Sequence, residues 1–389
     1  MIEHKFVISV KQKYKKMLPI TLKSFHIKNY RGIIDTQIDN IPPDTQWIFL
    51  TGENGFGKTS VLQGIVAEND KVISAKDCHF SNTKLTMYLR QQLFNMWFTD
   101  KDSVEIIYEI LPKMIGYGST RLRVSAGSAS EVMDKYYPTN SLFSNEVLLI
   151  NIEENFKDWK TNYKEGYLQL ENIFKTLIPR LGKIEVEVEE KTKRNKVRYY
   201  ETDRDGNDFG EGIELLELAS GYKNILAMIG DMINRLTRKS VPDDLSSLEG
   251  IVLIDEIDLH LHPKYQKLFV QKLSELFPKI QFIVSTHSPI PLLGAPKNSV
   301  IINVSRTREE GIKAELLDID FSVLTPNAIL SSPIFGFQDL IPESKTKDKM
   351  ARSEDSYKEV LFNDLLDKQI DEYLTDENKQ ELLDLLKIK

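Results

Sequence analysis

Residues 52–59 carry the stretch that decides the fold: Gly52-Glu53-Asn54-Gly55-Phe56-Gly57-Lys58-Thr59. It fits the pattern G-x-x-x-x-G-K-[ST] of a phosphate-binding loop, or P-loop. Its glycines permit positive φ angles, so successive backbone N–H groups can point inward at an anion. The apolar residues 47–50 before the loop predict a buried strand, and residues 60–65 after it predict a helix. This strand–loop–helix context favours a nucleotide site over a chance match.

The P-loop also predicts which groups hold the nucleotide. Lys58 can reach the β- and γ-phosphates as a point charge, and Thr59 can offer its hydroxyl to Mg²⁺. The N–H groups at the start of the following helix add further donors. We therefore predict that ATP and Mg²⁺ bind here, with these nucleotide ligands: Asn54, Gly55, Gly57, Lys58, Thr59 and Ser60.

Composition excludes several classes of protein. Of the 389 residues, 41% are hydrophobic and 28% are charged, which is typical of a folded globular protein. The net charge of -7 argues against a protein that coats nucleic acid non-specifically. The single cysteine, Cys78, excludes an internal disulfide and favours a reducing, cytoplasmic location. No apolar run approaches the ~18 residues that span a bilayer, so no membrane partner is predicted.

A second motif is Asp255-Glu256, which follows the apolar run 251–254. Such a run is typical of a strand that is covered on both faces. Ligands in open parallel sheets bind at the carboxyl ends of strands, which is where these two carboxylates lie. Asp255 is predicted to hold Mg²⁺ beside Thr59, and Glu256 to polarise the attacking water as general base. The alternative is a strand that merely ends in capping acids.

A third motif, Ser285-Thr286-His287-Ser288-Pro289, follows the apolar run 280–284. His287 at the tip of that strand is predicted to contact the γ-phosphate or its water, although a lone histidine of this kind is often structural. The strand–helix–strand order through 250–304 predicts a parallel sheet with right-handed crossovers.

Hydrophobic periodicity predicts the remaining elements. Further strands are predicted at 21–27, 33–38, 104–111 and 146–150, with a hairpin of 184–189 and 197–201. Helices are predicted at 71–100, 165–181 and 215–236, and in a charged tail from residue 342.

The ordered motifs at 52–60, 251–263 and 285–289 resemble those of ABC- and SMC-type ATPase heads. More narrowly, they are similar to the overcoming-lysogenization-defect-like ATPases of prokaryotic phage-defence operons, which include the ATPase component of the Septu system. The resemblance identifies 251–263 as the Walker B motif and D-loop. It extends to Asn29-Tyr30-Arg31-Gly32 in the opening strand, which adds Arg31 to the nucleotide ligands.

The resemblance implies an α/β fold, an ABC-type P-loop NTPase head. Such a head has a mixed, largely parallel central sheet, an antiparallel β subdomain and a helical insertion. We expect residues 1–70 and 183–341 to form the two parts of the head, 71–182 the insertion, and 342–389 a charged helical tail.

The resemblance also implies a signature loop that reaches the nucleotide of an opposing subunit, and hence a homodimer or higher homo-oligomer closed around ATP. The candidate is residues 218–224, in which Ser220 and Gly221 would contact the γ-phosphate. Ala219 departs from the family pattern, which has serine there. The alternative is that Ser220 simply caps the helix 221–236. A Q-loop is not located, with Asp77, Gln91 and Gln92 as weak candidates.

The spacing between the P-loop and the candidate signature loop limits which type of ATPase head the sequence resembles. Only 164 residues separate Gly57 from Gly221, which excludes a long SMC-type coiled coil within that interval. No acidic D-x-D/E-x-x-E cluster with strand context follows His287, so the Toprim nuclease domain of full-length relatives is not expected. If nucleic acid is cut, we expect a partner protein to cut it.

Three functions remain open from the sequence. The first is an ATP-gated regulator of an effector, such as a nuclease encoded nearby. The second is a DNA-repair or recombination ATPase that uses basic clusters at 11–16 and 191–198, so nucleic acid stays open as a ligand. The third is a scaffold that binds nucleotide without turnover, which Ala219 favours and Glu256 opposes.

Overall fold

An eight-stranded mixed sheet organises the part of the chain that the computed structural model describes. The described residues are 18–67, 113–121, 123–188, 195–203, 206–237, 242–317, 326–332, 334–335 and 366. Apart from Leu366, they belong to the first of two units, which ends at Phe335.

The strands fall into two sheets. In chain order they are β1 (Phe25–Tyr30), β2 (Ile33–Ile38), β3 (Trp47–Thr51), β4 (Met114–Tyr117), β5 (Leu181–Val188), β6 (Asn195–Thr202), β7 (Asp208–Ile213), β8 (Glu249–Ile254), β9 (Lys279–Ser285), β10 (Val300–Thr307) and β11 (Gly311–Leu317). The central sheet has the order β1-β2-β11-β10-β3-β9-β8-β4, and β5-β6-β7 form a second sheet.

The described helices are α1 (Lys58–Ala67), α2 (Ala129–Lys135), α3 (Glu153–Asn162), α4 (Lys164–Leu177), α5 (Ser220–Leu236), α6 (Pro263–Leu276) and α7 (Pro326–Ser331). None of the helices in the described residues is long and apolar enough to cross a membrane.

Five neighbouring strands of the central sheet, β10-β3-β9-β8-β4, are parallel. The strands β11, β2 and β1 extend the sheet in antiparallel pairing. The parallel sheet predicted from the segment 250–304 is therefore confirmed, and with it the α/β P-loop NTPase fold.

The central sheet is covered on both faces. Successive residues of β3 point to opposite sides, as the pleat requires. Trp47 and Phe49 pack in the cluster that contains α4, α5 and α6, whereas Ile48 and Leu50 pack in the cluster that contains α1. Burial on both faces explains the long apolar runs in β3, in β8 and at residues 282–284 of β9.

The second sheet is antiparallel throughout. The β5–β6 pair confirms the predicted hairpin, with Val186 opposite Val197. The Tyr167 hydroxyl of α4 donates to the Ile184 carbonyl and so attaches this sheet to the helices.

Two element predictions need correction. The strand predicted at 146–150 is wrong, because only an isolated bridge joins Leu149 to Val124. The next residue, Ile150, donates its N–H to the side chain of Asp231 and not to a neighbouring strand. The helix predicted at 165–181 already ends at Leu177. Ile178 is extended because it precedes a proline, which disfavours helical backbone at that position.

Several predictions fall on residues that are not described. These are the helix at 71–100, the strand at 104–111, Cys78, the Q-loop candidates Asp77, Gln91 and Gln92, and the charged tail apart from Leu366.

Candidate nucleotide site

The carboxyl ends of four parallel strands meet at one edge of the central sheet, which we call the carboxyl edge. β3 ends in the P-loop, β8 in Asp255-Glu256 and β9 in Thr286-His287, while β4 leads into residues 118–121. The register aligns these ends, since Leu50 pairs with Ser285 and Ile254 pairs with both Val284 and Tyr117. Side chains that are far apart in the sequence are therefore neighbours here.

The P-loop requires glycine at two tight positions. Gly52 has φ +135, and a Cβ there would lie 2.2 Å from the Val304 carbonyl oxygen. Gly57 has φ +93, and a Cβ there would lie 2.4 Å from Ile312 Cδ1. Both positions are closed to other residues, since positive φ and close packing coincide. Asn54 and Gly55 form the exposed tip of the loop, and Ser60 lies in the first turn of α1.

Lys58 lies inside the loop and is 5% exposed. Its ammonium group donates to the carbonyls of Gly52 at 2.8 Å and Glu53 at 3.0 Å, and to Nδ1 of His287 at 3.1 Å. Burial lowers the pKa of Lys58, and the carboxylates of Asp255, Glu256 and Asp258 oppose that shift. The cation thus lies where an added phosphate group would meet it, next to three negative side chains.

Asp255 joins the P-loop helix to the strand β9. Its Oδ2 accepts from the Thr59 hydroxyl at 2.8 Å, and its Oδ1 accepts from the Ser285 hydroxyl at 2.6 Å. Thr59 and Asp255 are therefore brought together, as the sequence predicted. This pair of oxygens fits Mg²⁺, which binds proteins through one or two side chains and completes its shell with phosphate and water.

Glu256 is held in an unusual backbone conformation, with φ +51. Its N–H donates to the Ser285 hydroxyl at 2.7 Å, so that one serine fixes both carboxylate residues. Its Oε1 lies 4.0 Å from Nε2 of His287. About a third of the Glu256 side chain is exposed, which leaves room for water and substrate beside it.

His287 lies between the P-loop lysine and Glu256. Burial, and next the Lys58 charge, lower the pKa of His287, and the carboxylates Asp258, Glu256 and Asp255 oppose this. The imidazole is consequently neutral near pH 7, with Nδ1 as the acceptor for Lys58.

The candidate D-loop, which follows Glu256, is tied to the same edge. Asp258 Oδ1 accepts from the Thr286 hydroxyl at 2.7 Å, and Thr286 in turn accepts from the Ser288 N–H. These contacts hold residues 286–288 against residues 255–258, so Glu256 and His287 keep a fixed relation.

The candidate signature loop lies against the D-loop of its own chain. A Cβ on Gly221 would lie 2.7 Å from the His260 carbonyl oxygen. The helix α5 begins at Ser220, with Ala219 in the capping position and no side-chain cap hydrogen bond. The alternative in which Ser220 caps a helix from 221 is therefore wrong. Among the described residues, no hydrogen bond joins Ser220 or Gly221 to residues 52–59.

Arg31 lies in the turn between β1 and β2, with φ +44. Its guanidinium donates to Gln63 Oε1 of α1 at 2.6 Å and lies within 6 Å of the rings of Tyr30 and Phe143. Its place among the nucleotide ligands stays a prediction.

The sequence reasoning missed three residues at this edge: Ser285, Arg121 and Asn224. Ser285 stands in a quoted motif, but the motif gave it no role. Arg121 is 1% exposed and donates to the carbonyls of Asp255 at 2.6 Å and Glu256 at 2.7 Å. Burial lowers the pKa of Arg121 to about 10, so it stays charged at neutral pH. No motif or spacing in the sequence indicated this role.

Comparison with known proteins agrees with this geometry. A family model described as an AAA ATPase domain matches residues 130–290. This segment is therefore similar to an AAA ATPase domain. The matched segment includes the candidate signature loop, Asp255, Glu256 and His287.

Two relatives extend the comparison beyond this segment. The Septu protein PtuA of Bacillus mycoides (strain KBAB4) is 28% identical over 350 residues, which cover 83% of this chain and 46% of that protein. The Retron Vc95 probable ATPase of Vibrio cholerae serotype O1 biovar El Tor is 42% identical over 122 residues, which cover 31% of this chain and 21% of that protein. The chain thus spans less than half the length of these relatives. They confirm the resemblance to phage-defence ATPases drawn from the motifs.

A solved SMC head, bound to the C-winged helix domain of ScpA, is 14% identical to this chain. The alignment covers 77% of this chain and 98% of that one, with a TM-score of 0.47.

Proposed function

We propose that the chain binds ATP with Mg²⁺ at the carboxyl edge and hydrolyses the γ-phosphate. The observation that carries the proposal is the convergence of Lys58, Thr59–Asp255, Glu256 and His287 from three strand ends. Phosphoryl transfer to water depends on positioning and on charge neutralisation, which the cation, the pair of oxygen ligands and the carboxylate can supply. The neutral imidazole adds a hydrogen-bond donor beside them.

In the proposed reaction, the Glu256 carboxylate accepts a proton from a water molecule while the water oxygen attacks the γ-phosphorus. The bond to the β–γ bridging oxygen breaks, and ADP leaves with that electron pair. Lys58 neutralises charge on the phosphates, and Nε2–H of His287 donates a hydrogen bond to the γ-phosphate or to its water. Bound by Thr59 and Asp255, Mg²⁺ would supply further positive charge to the phosphate oxygens.

We further propose that two copies close around ATP. Ser220 is exposed and Gly221 is partly exposed, at the start of a helix of 17 residues. The unpaired N–H groups of that helix start form an anion site for the γ-phosphate bound by the partner. Similarity to the Septu and retron proteins supports a role in anti-phage defence, in which the nucleotide state controls a partner effector such as a nuclease.

The described residues give no support to the DNA-repair alternative. Lys196 and Arg198, two members of its basic cluster, pair with Glu214 and Glu187. Residues 191, 193 and 194 lie outside the described part of the chain. The position of Glu256 beside His287 argues against a scaffold without turnover.

The direct test is ATP turnover by the chain and by Glu256→Gln. We expect kcat to fall about 100-fold or more, because a general base contributes at least that much, while the Kd for ATP stays within twofold. Glu249→Gln is the matched control, since Glu249 lies at the opposite end of the same strand β8. Turnover that survives in Glu256→Gln at the level of Glu249→Gln would refute the proposed role.

Dimer closure is tested on the same variant. Glu256→Gln with ATP should double in mass by light scattering, because ATP is bound and not consumed. Adding Ser220→Arg should prevent this by placing a bulky side chain at the proposed contact. A monomeric mass for Glu256→Gln at saturating ATP would contradict the closed dimer.

A further inference from the structure

Arg121 joins three segments of the chain that meet behind the carboxyl edge. It lies four residues after the end of β4 and is almost fully buried. One arm of its guanidinium donates to the carbonyls of Gly118 at 2.9 Å and Asp255 at 2.6 Å. The other arm donates to the carbonyl of Glu256 at 2.7 Å, and Nε donates to Asn224 Oδ1 at 2.9 Å. A planar fork with several donors suits this arrangement, which a lysine cannot reproduce.

The contact with Glu256 bears on the reaction. Glu256 adopts the left-handed region that non-glycine residues rarely occupy, so neighbouring groups must hold it there. Ser285 binds its N–H and Arg121 binds its carbonyl. The direction of the Glu256 side chain therefore depends on Arg121, although Arg121 itself faces away from solvent.

The contact with Asn224 leads to the signature loop. Asn224 lies one turn after Ser220 on α5 and is 2% exposed. Its Nδ2 donates to the Leu259 carbonyl at 3.2 Å, and Gly221 packs closely on the His260 carbonyl. The start of α5 is thus attached both to Arg121 and to the D-loop that follows Glu256.

From these contacts we infer that Arg121 and Asn224 couple the signature loop of a chain to the Glu256 of the same chain. The inference rests on the proposed function. In a dimer closed around two ATP molecules, the signature loop of one chain contacts the nucleotide on its partner, whereas Glu256 serves the nucleotide on its own P-loop. A shift of α5 when one site closes would therefore reach the water-activating carboxylate of the other site through a continuous, buried set of hydrogen bonds.

Arg121 is accordingly a positioning residue, and three variants separate its two contacts. Arg121→Lys removes the fork and disturbs both Glu256 and Asn224. Asn224→Ala removes the link to α5 but leaves the donors to the two carbonyls. Arg235→Lys is the matched control, because Arg235 is another buried arginine on α5 that pairs with Asp231 of the same helix and has no described hydrogen bond to Asp255, Glu256 or Asn224.

The measurements are kcat, KM and the Hill coefficient for ATP, together with the melting temperature. We expect Arg121→Lys to lower kcat about tenfold or more with KM within about twofold, since misplacement of a catalytic group acts on the chemical step. We expect Asn224→Ala to keep more of kcat, while its Hill coefficient falls from the wild-type value towards about 1. Arg235→Lys should lower the melting temperature as much as Arg121→Lys does, with wild-type kcat and Hill coefficient.

The proposed coupling is overturned if the wild-type Hill coefficient is 1, or if Asn224→Ala keeps the wild-type Hill coefficient. It is also overturned if Arg121→Lys loses no more kcat than Arg235→Lys does. If Arg121→Lys fails to fold, the Hill coefficient of Asn224→Ala still tests the coupling. The mass of the Glu256→Gln variant with ATP distinguishes failure of the proposed dimer from failure of the coupling. A monomer there means that the proposed dimer has failed, whereas a dimer without the expected Hill coefficients means that only the coupling has failed.

Discussion

The carboxyl edge of the central sheet and the three-stranded sheet β5–β7 handle charge in opposite ways. At the carboxyl edge, charged groups are buried or half-buried and contact residues more than a hundred positions away. In the three-stranded sheet, the charged groups lie on the surface and pair locally, as Lys183 does with Glu185 and Arg198 with Glu187.

This difference has an energetic meaning. Exposed ion pairs are screened by water and contribute little to the free energy of folding. Buried charges cost desolvation and persist only where several partners satisfy them. The carboxyl edge therefore needs the rest of the fold to hold it in place, and small changes there should have large effects on turnover. Four predictions test this contrast.

The largest effect is expected from Lys58→Ala. Loss of this cation leaves only the buried Arg121 guanidinium to oppose the charges of Asp255, Glu256 and Asp258, and it removes the proposed contact to the phosphates. We expect kcat/KM for ATP to fall about 100- to 1000-fold, as for other preorganised charges at reaction centres. Lys272→Ala on the surface of α6 is the control, and a similar loss in that variant would show that the effect is not specific to the edge.

Ser285→Ala should come next. It leaves one oxygen of Asp255 and the N–H of Glu256 without their shared partner. We expect a loss of about 1–3 kcal/mol in the free energy of unfolding, measured by urea titration, and roughly tenfold lower kcat.

Ser274→Ala is matched to it, because the Ser274 hydroxyl accepts from Trp47 Nε1 at a site remote from the carboxyl edge. That variant should lose stability but not kcat. Equal effects of the two serine substitutions on kcat would show that Ser285 has no special role at the carboxyl edge.

A smaller effect concerns pH. The pKa of His287 in the folded chain lies below its ordinary value of 6.5, so the unfolded chain binds more protons in the interval between the two values. Stability should consequently rise with pH across that interval and be lost as pH falls below 6.5. Plots of melting temperature against pH for the wild type and for His287→Gln should differ in slope in that interval and run parallel above pH 7. Parallel curves throughout would mean that His287 does not titrate with folding.

The smallest effect is expected in the three-stranded sheet. Lys196→Ala breaks an exposed pair with Glu214. Because water replaces the lost partner, we expect an unchanged melting temperature and unchanged ATP turnover at physiological salt. A clear loss of either would mean that this sheet supports the nucleotide site.

Sequence reasoning located the edge because each of its motifs is local. The P-loop, Asp255-Glu256 and His287 each follow an apolar strand, and parallel order brings such strand ends together. Arg121 escaped prediction since its partners lie 134 and 135 residues along the chain, with no periodic pattern between them. The strand predicted at 146–150 was wrong for a related reason, because the buried Asp231 takes the N–H of Ile150.

The position of β3 in the sheet determines how early this strand can pair during synthesis. β3 carries the P-loop, yet both of its neighbours come from the far end of the chain, where Phe282 pairs with Trp47 and Val300 with Ile48. While a ribosome is still making the segment before β9, the P-loop strand has no partner on either side. Pairing of such distant segments is slow, so the apolar residues 47–50 stay exposed until β9 and β10 have been made and are a target for chaperones. The pairing of the strand that carries the P-loop is therefore completed late, only after β10 has been synthesised.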